Sequence, residues 1–275
     1  MKALNNPKEI AELMHTVKYK GSSFLSNFFI EEKKINYWIT QQLLSFKETE
    51  SGVLFFRKSD SFYYLYYATS SLDNLKLLLK NDLPDIKLVT DIIGEEKNIE
   101  PISKTFIDEG FFLYAQLHRY TRINITADKY YNSDEVSFSQ KEDGVAIAKL
   151  LKDNFDAVAE QVPALDEVEI LIAEKKIIQI KESNIIKGFL VRTFIGQTSI
   201  LNNFLVDKKF RGSGIGSKLL QHYFFESKNT KRMILWALSD NDIALKIYKK
   251  YGYHRNTLSD HIMTNIHEQH HQYIN

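Results

Sequence analysis

Apolar and polar positions fall into two patterned stretches, parted by a polar segment from Asn124 to Ser139 that carries Thr126, Asp128, Asn132, Ser133, Asp134 and Glu135. That segment is not rich in Gly or Pro, so it reads as a short crossing between two halves and not as a loose tether. In the C-terminal half, Glu142 to Phe155 carries Ile147, Leu150, Leu151 and Phe155 at helical spacing. Pro163 suits the opening turn of a second helix, which places Leu165, Val168, Leu171 and Ile172 on one face. Strand patterns follow at Ile177 to Glu182, Gly188 to Ile195 and Thr198 to Val206, with Gly196-Gln197 as a hairpin turn between the last two. A loop, Asp207 to Arg211, leads to a helix in which Ile215, Leu219 and Tyr223 recur every four residues. Met233 to Leu238 reads as a short buried strand, and Asp242 to Tyr251 as a helix closed by Gly252.

The N-terminal half is less regular. Ile10 to Val17, Leu72 to Lys80 and Pro101 to Glu109 read as helices. Val53 to Phe56 and Phe62 to Ala68 read as a hairpin around Lys58-Ser59-Asp60, with further strands at Ile86 to Thr90 and Phe111 to Leu117. One echo links the halves. Phe106-Ile107-Asp108-Glu109-Gly110-Phe111 has the form of Tyr248-Lys249-Lys250-Tyr251-Gly252-Tyr253, an aromatic, three residues, Gly and an aromatic. Both come after a strand and helix, which suggests a duplicated unit, although aromatics at 13% of the chain make such a match easier to meet by chance.

Composition narrows the picture. A length of 275 residues allows one large domain or two modest ones. With 44% hydrophobic and 26% charged residues the chain is of the globular class. Lys+Arg 36 against Asp+Glu 35 gives a net charge of +1, so no basic field gathers nucleic acid. The absence of Cys removes disulfides and thiolate chemistry. No apolar run approaches the roughly 20 residues of a membrane helix, and Lys8, Glu9, Glu12 and His15 occupy the place of a signal peptide's apolar core. The expectation is a cytoplasmic protein with no membrane and no nucleic-acid partner. The oligomeric state is open between monomer and homodimer. His267, His270 and His271 gather at the end of the chain with Glu268, a cluster read as a polar tail and not as a metal site.

The informative chemistry lies at Arg211-Gly212-Ser213-Gly214-Ile215-Gly216-Ser217-Lys218, between a strand and a helix. A helix start leaves backbone N–H groups without partners, and the dipole adds positive potential there. Glycines let a ligand approach the main chain, so a phosphate or pyrophosphate is the natural occupant. Two phosphate motifs fail. A Walker loop ends in Gly-Lys-Ser/Thr, whereas here Ser217 precedes Lys218; a dinucleotide fingerprint counted from Gly212 meets Ser217 where its last Gly belongs.

Arg-Gly-Ser-Gly-Ile-Gly after Asn203-Phe204-Leu205-Val206 resembles the acetyl-CoA motif of the GNAT N-acetyltransferase superfamily, Arg/Gln-x-x-Gly-x-Gly/Ala. The stretch Asn241 to Tyr253 is similar to a second motif of that family, with Asn, Ala, Tyr and Gly-aromatic in register; together the resemblance covers about Val136 to Met263. It implies an α/β (α+β) fold, a mixed and mostly antiparallel central sheet flanked by helices, with a second, related or degenerate N-terminal α/β domain. It implies acetyl-CoA as co-substrate and no metal. Phe204, Leu205 and Val206 would hold the pantetheine arm through main-chain bonds. Arg211, Gly212, Ser213, Gly214, Ile215, Gly216 and Ser217 would hold the pyrophosphate, and Asn241 would bond the arm. Tyr248 would protonate the departing sulfur; a phenol with pKa near about 10 is protonated at neutral pH and can serve a thiolate of pKa about 8.5.

The resemblance thus implies direct transfer of an acetyl group to a primary amine of a small-molecule or amino-acid-like acceptor. It leaves the proton acceptor for the amine open. Thr198 to Val206 has no carboxylate, and Glu167, Glu169, Glu182 and Asp240 are candidates of equal standing. Phe106, in the place of Tyr248, has no proton to give, so 1–130 is expected to be an accessory GNAT-like domain, or an unrelated dimerisation domain, and 131–275 the catalytic one. Two rivals stand beside this expectation: a CoA-binding sensor or interaction module without turnover, and an aminoacyl-transferase of the tandem-GNAT type.

Overall fold

The computed structural model describes residues 1–21, 23–29, 31–123 and 131–267. The tail cluster at 268–271 and most of the expected join, 124–130, lie outside the described residues. The chain forms two compact units, residues 1–117 together with the chain from Thr257 on, and His118–Asn256.

In the first unit β1 (Lys2–Ala3) leads to α1 (Pro7–Tyr19), β2 (Leu25–Ser26), α2 (Glu32–Thr40), β3 (Leu44–Glu48), β4 (Gly52–Lys58), β5 (Tyr63–Thr69), α3 (Leu72–Asp82), β6 (Leu88–Glu95), α4 (Glu96–Asp108) and β7 (Phe112–Ile123). Local chemistry sets these starts. The Asn6 side chain accepts from Lys8 and Glu9 N–H ahead of Pro7, and Ser71 accepts from Asn74 N–H. The strands order as β1-β3-β4-β5-β6, antiparallel except for the short parallel pair Tyr63↔Leu88 and Tyr64↔Val89. Leu54, Phe56, Leu65, Tyr67 and Ile92 pack against Leu75, Leu78, Ile99 and Phe106 of α3 and α4. On the other face Phe28 lies tilted against Phe55 and edge-on to Tyr66, and the Arg57 guanidinium lies 4.7 Å from the Trp38 ring and 4.0 Å from that of Tyr64.

The second unit contains β8 (Ser137–Phe138), α5 (Gly144–Asn154), α6 (Leu165–Ala173), β9 (Ile177–Glu182), β10 (Ile185–Ile195), β11 (Thr198–Val206), α7 (Ile215–Glu226), β12 (Arg232–Leu238), α8 (Asp242–Lys250) and the start of β13 (His254–Thr264). Its strands order as β7-β12-β11-β10-β9-β8, with β11 and β12 paired in parallel and β8 to β11 antiparallel throughout. One face carries α5 and α6 over Ile177, Phe189, Val191 and Leu205; the other carries α7 and α8 over Ile178, Leu190, Met233 and Leu235. The unbroken runs of buried positions along β9 (177–180) and β10 (188–192) are what a sheet covered on both faces requires. Asp143 fixes the start of α5. Burial opposes its charge, but bonds from Gln140 N–H, Lys181 and Gln179 outweigh that and hold its carboxyl below the usual range.

Apart from the short β2 between α1 and α2, both units repeat one element order, strand, two helices, three strands, helix, strand, helix, strand. The mixed, mostly antiparallel sheet with flanking helices is as expected. The expected division at 130/131 differs from the compact units at both ends. β7 carries the chain from one unit to the other at Leu117, and the last strand returns to the first unit, where Leu258–Thr264 pair antiparallel with Glu95–Val89. A long-range ladder claims that segment, and no local pattern announces it. Among the described residues no helix is long and apolar enough to cross a membrane, and no group of three or more His, Asp or Glu could hold a metal ion.

Candidate acyl-transfer site

The site begins with an interruption in the sheet. Thr198–Leu201 pair in parallel with Arg232–Leu235, and there the pairing ends, although β11 runs on to Val206 and β12 to Leu238. On the other side of β11, Asn203 faces Val191 but Leu201 faces Arg192, so Asn202 is an extra residue. This bulge sits where β11 leaves β12, and a bulge bends and twists its strand. Phe204 and Val206 turn their side chains to the α7 face and Leu205 to the α5–α6 face. What remains toward the gap is main chain, a strip of donors and acceptors to which an extended amide-bearing ligand can add as a strand.

The glycine-rich segment continues from that strip. Asp207 caps a short turn by accepting from Lys209 N–H at 2.9 Å. Gly214 precedes α7 as its cap residue at φ +84°, and Gly212 adopts φ +82°. A side chain at either would be strained, yet no atom lies within 4 Å of where its Cβ would stand. The cradle is therefore open on its glycine side, a shape that fits a diphosphate. Gly216 has a different role, since a Cβ there would meet Phe204 at 3.3 Å and Val206 at 3.4 Å, and its absence lets α7 lie close on β11.

Among the described residues the amides of Gly212, Gly214, Ile215, Gly216 and Ser217 meet no acceptor. Two of the sequence candidates use theirs internally, Arg211 N–H on Lys208 O at 3.5 Å and Ser213 N–H on Phe210 O at 3.4 Å. Arg211 also donates from Nε to Val206 O at 3.3 Å, which brings its charge to the end of β11. Ser217 Oγ and Tyr251 Oη lie 2.8 Å apart.

The helix α8 supplies the remaining candidates. Asn241 caps it, with Oδ1 accepting from Ala244 N–H at 3.1 Å, which leaves the amide NH2 free to donate to a ligand. Tyr248 is buried in the α7–α8 core, its ring edge-on to Tyr253 at 5.9 Å. Burial raises its phenol well above the ordinary tyrosine range, and the nearby charge of Glu160 and then Tyr223 raise it further. Glu160 was not singled out from the sequence. It lies between α5 and α6, its Oε2 accepting from Asp156 N–H at 3.1 Å, and burial first, then the charge of Asp156, push its carboxyl up to about 7 against that hydrogen bond. The four carboxylates weighed from the sequence are placed otherwise. Glu167 accepts from Ala164 N–H at 3.0 Å, Glu182 pairs with Lys187, and Glu169 and Asp240 are exposed. A loop acid follows no periodic pattern; what distinguishes Glu160 is burial, which only the fold shows.

The first unit has the same parting of strands, between β5 and β6, but a side chain fills it. Asn27 Nδ2 donates to Leu65 O at 3.3 Å, Thr90 Oγ1 at 2.8 Å and Asp91 O at 3.0 Å, and Asn27 Oδ1 accepts from Tyr67 N–H at 2.8 Å. β2 runs antiparallel along β5 beside it. The turn from β5 into α3 is only Ser70 and Ser71, against the eight residues 207–214 between β11 and α7. Phe106 is fully buried and lies 5.1 Å from Phe111, edge to face.

Residues 166–255 match the acetyltransferase (GNAT) domain family. No curated protein matches the chain by sequence. Among solved structures, a Drosophila protein is similar with a TM-score of 0.59 at 13% identity, over 94% of this chain and 96% of its own. An acetyltransferase of the GNAT family from Colwellia psychrerythraea has a TM-score of 0.56 at 13% identity, over 96% and 97%. A tandem GNAT protein from the clavulanic acid biosynthesis pathway has a TM-score of 0.55 at 10% identity, over 96% of each chain. At these identities the likeness is one of fold, and the fold is that of a tandem of GNAT units.

Proposed function

Since residues 166–255 belong to the GNAT acetyltransferase family, we propose that the protein is an N-acyltransferase that transfers the acetyl group of acetyl-CoA to a primary amine of a small-molecule or amino-acid-like acceptor. The observation that carries this reading is the pairing of open amides at Gly212 and Gly214–Ser217 with the exposed main-chain strip of β11. One cradle suits a diphosphate and the other an amide-bearing arm, and the coenzyme contains both in that order.

Acetyl-CoA supplies an acyl thioester when bound. The chain's part is to orient and to move protons. Amides of the α7 start hold the diphosphate charge, each such bond contributing about 1.5–3 kcal/mol. Main-chain N–H groups beyond the Asn202 bulge polarise the thioester carbonyl, as preorganised donors do for a developing oxyanion. Holding both reactants in one cleft turns a bimolecular encounter into an oriented reaction. Tyr248, protonated at neutral pH as any phenol is, gives its proton to the departing sulfur; the burial that raises the phenol weakens it as an acid, so it is the developing thiolate charge that draws the proton across.

A thiol-release screen with acetyl-CoA across polyamines, amino acids, aminosugars and peptide N-termini tests the reading. Release with at least one amine, and its loss in Tyr248→Phe, is the expected result. Coenzyme binding without release for any amine would favour a sensor module instead.

A further inference from the structure

We propose that the second unit carries a further binding site, in a depression beside α8, for a small aromatic molecule that bears a dianionic group such as a phosphate monoester. Its lining shares no residue with the glycine-bearing loop, the β11 strip, Asn241 or Tyr248, so it stands whether or not the chain transfers acyl groups.

The depression has a volume of about 320 Å³, at the small end of the range that ligand pockets span. α8, β7 and the first residues of β13 supply its lining, all of it within His118–Asn256. Tyr120, Leu245 and Tyr253 give it apolar surface. Tyr253 is fully buried in the α7–α8 core, and half-buried Tyr120 and Leu245 pack against that core, so this surface is formed before any ligand arrives.

Cations line the same depression. Lys246 and Lys249 are neighbours on one face of α8, and Arg255 comes from β13. Asp242 is the one carboxylate in the lining, so three cations against it leave a formal charge of +2, His254 not counted. Asp242 precedes Lys246 by four residues, the spacing of a helical ion pair. Yet the side chains of Asp242, Lys246, Lys249 and Arg255 make no ion pair or hydrogen bond among the described residues. The repulsion of like charges beside an apolar surface is left for a ligand to relieve, and a dianion matches the excess. A guanidinium offers phosphate paired N–H donors, and the two ammonium groups add point charges.

The first unit shows that the fold does not demand this charge. Aligned on the shared pattern of aromatic, Gly and aromatic, Lys249, His254 and Arg255 take the places of Ile107, Phe112 and Leu113. Ile107 and Leu113 are exposed, so apolar residues serve at these surface positions. There α4 is tied to its neighbouring strands by side chains. His261 Nδ1 lies 2.8 Å from Ser103 Oγ, and its Nε2 lies 3.0 Å from Glu96 Oε1 and 3.1 Å from Gln116 Nε2. The corresponding helix of the second unit has a basic depression at its side instead.

Calorimetry with phenyl phosphate, in the absence and presence of coenzyme A, tests the site. Phenyl phosphate should bind with a Kd of about 1 mM or tighter. Inorganic phosphate, which lacks the ring, and benzyl alcohol, which lacks the charge, should each bind at least roughly 10-fold more weakly. Lys249→Glu with Arg255→Glu exchanges exposed side chains; it should keep the wild-type unfolding midpoint and weaken phenyl phosphate at least ~10-fold, as should the milder pair Lys249→Gln with Arg255→Gln. Lys250→Glu, on the same helix but outside the lining, should bind as the wild type does. No binding at about 10 mM, binding that survives both double variants, or an equal loss in Lys250→Glu would overturn the site. Inorganic phosphate binding as tightly as phenyl phosphate would overturn the aromatic class of ligand. Displacement of phenyl phosphate by coenzyme A would place it in the glycine-bearing loop and overturn the assignment while leaving the acyl-transfer reading intact.

Discussion

The two units share an element order and a doubly covered sheet, and they differ at three small places. In the second unit the strands β11 and β12 part around an unfilled strip, whereas in the first Asn27 bonds across the same parting to β5 and β6. The second has a glycine-bearing loop of eight residues before its third helix, whereas the first has two serines, one of them spent as a helix cap. The second has Tyr248 where the first has Phe106. Architecture resides in the large apolar clusters, which both units keep. On the proposed reading, ligand capacity resides in a few main-chain groups left without internal partners, which in the first unit one asparagine and a shorter turn replace.

The comparison is broken most forcefully at the loop. Gly214→Val places a β-branched side chain at a φ of +84°, and coenzyme A affinity measured by calorimetry should fall by at least ~10²-fold. Titration of the wild type should give one coenzyme per chain, and two would mean that the first unit also binds. Tyr248→Phe should lower kcat by roughly 10²–10³-fold with coenzyme affinity nearly unchanged, while the reciprocal Phe106→Tyr should gain no activity in the same thiol-release assay.

Asn27→Ala strips partners from three carbonyl or hydroxyl acceptors and one N–H donor in the first unit. Urea unfolding should show a loss of about 3 kcal/mol with coenzyme affinity intact; a weakened affinity would argue that the plug also serves the second unit's site. The smallest effect is a pH-dependent one. The Glu160 carboxyl is pushed from 4.5 to about 7, so the folded chain binds its proton more tightly than the unfolded chain. The penalty for ionising it is absent below pH 4.5 and grows as the pH rises through 7. Glu160→Gln should therefore stabilise the protein by about 2 kcal/mol at pH 8 and by little at pH 4, read as the difference in urea midpoint between the two conditions.

Much of the second unit is legible in its pattern. The bounds of β9 and β11 follow from the apolar runs Ile177 to Glu182 and Thr198 to Val206, and α7 follows from Ile215, Leu219 and Tyr223, all buried. Its sheet is covered on both faces, so the apolar signal is strong. The first unit hides more. α2 buries only Trp38, too little to give a helical period, and β3 alternates over five residues with a charged end. α4 begins at Glu96, five residues before Pro101, although a proline more often marks a helix start.

What sequence could not show are roles that arise between distant segments. Asn27 is one polar residue among many until β5 and β6 part around it. Glu160 is a loop acid until burial raises its carboxyl. The return of β13 to β6 joins positions about 170 residues apart, for which no local propensity exists.

Amide hydrogen exchange with and without coenzyme A bears most directly on the cradle. The bound coenzyme should slow exchange at Gly212 and at Gly214 to Ser217 and leave Ser70 to Leu72 unchanged. Unaltered exchange at the glycine-bearing loop under saturating coenzyme, or protection appearing at the serine turn instead, would contradict the account.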